Sequence, residues 1–66
     1  MLVNLTILAN MAHNLQVAIE AYDPGEWAYD QAEAAFNNCY RIAVEHYGFD
    51  RVEEVPEVAA VFALYA

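Results

Sequence analysis

Lysine is absent from this chain of 66 residues, and Arg41 and Arg51 are its two strong cations. No Lys or Arg occurs before Arg41. Ten carboxylates face those two arginines, which leaves a net charge of -8. Such a chain cannot neutralise phosphates and is repelled by nucleic acid and by anionic membranes. Direct nucleic-acid binding and membrane binding are therefore not expected. Cysteine is scarce too: Cys39 stands alone, which excludes an internal disulfide. Gly25 and Gly48 are the two glycines, too few for a phosphate-cradling loop. Long apolar runs are missing. The opening MLVNLTILANMAHNLQVAIEA is interrupted by Asn4, Asn10, His13, Asn14 and Gln16, well short of the roughly 20 apolar residues that span a bilayer. It has neither the basic n-region nor the unbroken apolar stretch of a signal peptide, so none is expected. The free cysteine agrees with a reducing cytoplasm.

Ligand spacing is absent as well. No C-x-x-C or H-x3-H pair suggests zinc, and neither a metal nor another cofactor is expected. Cys39 and His46 are seven apart, two helical turns on a similar face. A Cys–His dyad would need an activating pocket that so small a helical domain seldom builds, so an enzyme is not expected. Asn4-Leu5-Thr6 matches a glycosylation acceptor by chance in a chain with no secretion signal.

What the chain does have is apolar mass. Hydrophobic residues make up 61%, above the roughly 45–50% of globular domains, so disorder is excluded. Much of the excess is alanine. The length allows one small domain over 1–66. Ordering it costs roughly 1.5 kcal/mol per residue, which leaves a lone core marginal. Either tight Ala-rich packing or cover from a second chain must make up the difference.

The pattern predicts an all-α fold. Leu5, Leu8, Met11, Ala12, Leu15, Ile19 and Tyr22 recur at three and four residues and line one face of a first helix over about 3–22. The alternation in LVNLTIL also suits a short strand, but no partner strand is evident. Asp23-Pro24-Gly25-Glu26 reads as an N-cap, a first-turn proline and a capping-box glutamate, so a second helix is expected over about 24–47. Its inner face is Ala28, Ala32, Ala35, Phe36, Cys39, Ala43 and Tyr47, and Gly48 supplies a left-handed stop. The short turn makes the two helices an antiparallel hairpin. Asp50 and Glu53 open a short helical turn at 50–54, and Pro56 restarts a C-terminal helix over about 56–65. That helix, from Val58 onward, is apolar all round, which predicts burial on all sides. Val58, Val61, Phe62 and Tyr65 are expected at a contact with another chain, as in a homo-oligomer.

Two acidic groups carry the functional reading. Glu26, Asp30, Glu33 and Glu45 share one side of the second helix, and Asp23 extends the row into the turn. Solvated helix faces usually mix signs and gain i,i+4 pairs; this one has Arg41 alone, beyond Glu33. Trp27 lies within the row and suits cation–π contact with a basic partner, or else packs near Tyr22. Asp50, Glu53, Glu54 and Glu57 form the second group. Several of them sit near helix starts, where the macrodipole favours negative charge.

In size, acidity and lack of enzymatic motifs the chain resembles phage-encoded anti-defence proteins such as anti-CRISPR proteins and DNA mimics. That resemblance implies a host nuclease or CRISPR effector as partner, blockade of its basic surface as mechanism, and the host cytoplasm as location. The competing expectation is a helical assembly subunit whose apolar C-terminus drives oligomerisation and whose acidity only confers solubility.

Overall fold

Asn4 opens the first helix. Its extended backbone puts the side-chain Oδ1 where it accepts the Ile7 N–H at 2.8 Å, and this satisfies one of the four orphan donors of a helix start. A computed structural model describes residues 4–65, and the expected start at Val3 and the final Ala66 lie outside them. Four helices follow in order: α1 (Leu5–Ala21), α2 (Trp27–Tyr47), α3 (Phe49–Glu53) and α4 (Pro56–Tyr65). No strand occurs among the described residues. α1 and α2 form the antiparallel hairpin, and α4 returns along α1 on its other flank.

The second helix begins three residues later than the tetrapeptide signature suggests. Glu26 N–H bonds the Asp23 carbonyl at 3.1 Å, and Gly25 has φ +95°. Proline second and a positive-φ glycine third are the requirements of a type II turn. Asp23 to Glu26 is therefore a turn in itself, and helical geometry starts at Trp27. Half of the capping box survives inside that turn: the Glu26 carboxylate accepts the Asp23 N–H.

Gly48 ends α2 and opens α3 at φ +91°, ψ +153°. This is not the left-handed helical stop expected there. It lies in the extended positive-φ region that is essentially restricted to glycine. The Gly48 N–H still bonds the Val44 carbonyl at 2.9 Å. Pro56 occupies the first position of α4, where a missing N–H costs nothing.

One core joins all four helices. Leu8, Ala12 and Leu15 meet Phe36, Cys39 and Ala43, and Val52, Val55, Val58 and Val61 close the far side. Phe36, Tyr40 and Phe62 form a ring cluster with centroid separations of 5.3–6.2 Å, and Phe62 meets the other two rings edge-on, which adds to plain area burial. Two face assignments change. Ala35, expected on the inner face, is exposed, and Tyr22 is exposed because the chain turns to extended backbone there; Tyr29, which flanks that inner face, is buried. α4 changes most. Val58 and Val61 are fully buried inside this chain, and Phe62 is half-buried, so the two valines are core and not a contact between chains. Ala59 and Ala63 form much of the outer side. Alanine exposes so little apolar area that an apolar helix tolerates one wet face.

Candidate protein-binding surface

The hairpin sorts the carboxylates by end. Asp23, Glu26, Asp30 and Glu33 lie at the α1–α2 turn, with Glu20 just before it. Glu45, Asp50, Glu53, Glu54 and Glu57 lie around the α2–α3 junction and the start of α4. Helix rise puts Glu33 and Glu45 about 18 Å apart along α2, with Asn37 and Arg41 between, so the two acidic groups occupy opposite ends of that helix.

Both arginines belong to the second group. Arg41 meets Glu45 at 3.6 Å and Arg51 meets Glu54 at 3.3 Å. Both pairs are exposed, a setting worth little in stability, yet they cancel two of that end's charges. Asp50 sits in the first turn of α3 and Glu57 in the first turn of α4, where the helix N-termini accommodate them. The Tyr40 phenol is pushed above its usual range, first by burial and then by the Glu53 carboxylate.

The turn end has no cation, and three of its carboxylates are anchored to the turn and to α4. Glu26 holds the Asp23 N–H through Oε2, Asp30 Oδ1 accepts the Gly25 N–H at 3.2 Å, and Glu33 Oε2 accepts the Tyr65 hydroxyl at 3.0 Å. Each keeps its second oxygen unpartnered within the described residues. The anchoring holds three charges in fixed positions without neutralising them. Tyr65, expected at an oligomer contact, instead ties α4 to this row. Its phenol is held well above the usual range by burial, then by the neighbouring Tyr29 hydroxyl and the Glu33 carboxylate.

Trp27 stands out from this end with 77% of its surface exposed, so it does not pack over the end of α1. Asp30, three residues on, is its neighbour on the helix surface. Tyr22, at the end of α1, is 46% exposed. The sequence reading placed Tyr22 on the buried face. The signal for its exposure was the turn that follows immediately, because a residue next to Asp-Pro-Gly leaves the helix phase.

No pocket opens among the described residues, and no three His, Cys, Asp or Glu side chains among them gather to hold a metal ion. No helix there is long and apolar enough to cross a membrane. What the turn end exposes is carboxylates beside Trp27 and Tyr22. No family model, curated protein or solved structure matches the chain.

Proposed function

We propose that this chain is a small inhibitor that occupies a basic, nucleic-acid-handling surface of another protein, in the manner of anti-CRISPR and DNA-mimic proteins. One observation carries the reading. At the α1–α2 end, Asp23 and the anchored Glu26, Asp30 and Glu33 form an acidic row with no cation among them, beside a Trp27 that is 77% exposed. Glu26, Asp30 and Glu33 advance by about 6 and 4.5 Å along the helix axis. Strand phosphates advance by about 3.4 Å per base pair, so the row covers about three phosphate steps of one strand at a wider pitch, a loose match. Such a row competes by charge, and Trp27 adds the desolvated anchor that binding surfaces concentrate their energy in. The blockade is steric and electrostatic, with no chemical step. An assembly role through α4 has less support, since Val58 and Val61 are buried in the chain's own core.

The carboxylates also hold the turn, so the test must remove charge and keep the acceptors. The combined variant Glu26→Gln/Asp30→Asn/Glu33→Gln does so. Capture of this chain by an immobilised CRISPR effector or basic nuclease should be competed by duplex DNA and weakened by salt. The neutral variant should bind at least about tenfold more weakly with unchanged helicity, since encounter rate and salt response follow the charges. Trp27→Ala should also cost about tenfold or more. Full binding by the neutral variant would move the partner surface to Asp50, Glu53, Glu54 and Glu57.

A further inference from the structure

α1 turns one side to the core and leaves the other without a partner in the chain. Leu8, Ala12, Leu15 and Ala18 are its buried residues. Ile7, Asn10, Asn14, Val17 and Ala21 are all exposed, and the steps between them are three, four, three and four. That spacing is the a/d pattern of a coiled-coil seam. Ile7 and Val17 are 38% and 50% exposed. None of the five is charged. Glu20 is the one carboxylate in α1, and the other nine, with both arginines, lie between Asp23 and Glu57.

We infer that a second copy of this chain seats on this seam, pairing two α1 helices antiparallel about a twofold axis. Charge selects the occupant. Two copies each carrying -8 repel through any acid-bearing face, and like charges brought together across an interface cost several kcal/mol. The α1 seam is a strip where two copies meet without opposing carboxylates, and it is longer than the charge-free outer side of α4. A basic partner finds nothing there to hold. The seam is also self-complementary. In one antiparallel register Ile7 lies over Val17 of the second copy, and Asn10 lies over Asn14. Glu20 then faces Thr6 of the second copy and not another glutamate. Asparagine pairs in such a seam fix register at some cost in stability. A parallel pair would set Asp23, Glu26, Asp30 and Glu33 beside their own copies. The antiparallel pair sets that end against the less acidic one, where Arg41 and Arg51 offset two of five carboxylates, so repulsion is reduced.

The seam is about 21 Å long and one helix wide. It buries less than the roughly 1,200–2,000 Å² of stable complexes. The association is therefore weak and concentration-dependent, which suits a chain that already has its own core.

Sedimentation equilibrium from about 10 μM to about 1 mM covers the range where such weak contacts populate. The mass should climb from 7.4 kDa towards twice that value, and added salt should favour the dimer by screening repulsion. The double variant Asn14→Lys/Val17→Lys should stay monomeric with unchanged helicity, because both positions are exposed. The new lysines lower the net charge, which by itself would promote association, so a loss reports on the seam. An oxidised mixture of the Ile7→Cys and Val17→Cys variants should yield mostly the mixed disulfide. Like-with-like disulfides would overturn the antiparallel register. A wild type that stays monomeric throughout, or a lysine variant that dimerises equally well, would overturn the seam itself.

Discussion

Tyr65 shows how much a single hydroxyl decides. It donates to Glu33 at 3.0 Å and so fixes the last turn of α4 against the acidic row. Its phenol is raised by burial, then by Tyr29 and Glu33, and the sign of the linkage follows. A folded-state value above the unfolded one means that this stabilisation is complete below the ordinary phenol value of about 10. It is lost as pH rises through the higher folded value. Tyr65→Phe should cost about 1 kcal/mol near pH 7, the usual net worth of one hydrogen bond. It should also flatten the fall in melting temperature above about pH 10. Tyr40, raised by burial and then by Glu53, keeps its own share of that fall. Identical alkaline profiles for variant and wild type would mean that the Glu33 contact contributes nothing. Tyr65's role was not legible in the sequence, and Tyr29 reads there only as a flank of the inner face. A tyrosine beside acids reads as surface until the return of α4 over the first turns of α2 is known. Cys39 was legible, because Phe36 and Ala43 share its helical face and all three are buried.

The helices themselves were written in the periodicity, and their ends in local chemistry that has more than one solution. Asp23-Pro24-Gly25-Glu26 satisfies both a helix start and a type II turn, and Gly25 at φ +95° decides for the turn. α4 misled in another way. Alanine counts as apolar in a pattern, yet Ala59 and Ala63 are exposed at little cost, and the valines that looked like a contact between chains form the floor of the core. Gly48 carries the connection from α2 to α3. A Cβ there would meet nothing within 4 Å, so Gly48→Ala tests the backbone alone. Its φ +91°, ψ +153° is close to forbidden for an L side chain, and the variant should lose about 1–3 kcal/mol. Chemical denaturation measures this directly. A loss under about 0.5 kcal/mol would show that the α2–α3 junction relaxes to negative φ without disturbing the core.

Charge governs the molecule as a whole, because its two ends differ. Glu20, Asp23, Glu26, Asp30 and Glu33 share the turn end without a cation, while both arginines pair at the other. The acidity was plain from composition. The segregation was not, since it depends on the antiparallel hairpin carrying Arg41 and Arg51 away from the turn. The folded chain therefore stores repulsion that an expanded chain relieves. Raising NaCl from about 10 mM to about 500 mM shortens the screening length from about 30 Å to under about 5 Å. Screening should weaken the repulsion within the turn end far more than it weakens two exposed ion pairs, each worth under about 1 kcal/mol. A gain of about 1 kcal/mol in a domain this small raises the melting temperature by about 4–8 °C. Salt should thus stabilise the fold and the α1 pairing while weakening capture by a basic partner, and the opposite signs separate capture from the other two. A melting temperature that holds level or drops as NaCl rises, with helicity constant, would mean that the anchored carboxylates do not repel one another in the folded state. The acidic row would then lose the unbalanced field on which its attraction to a basic surface rests.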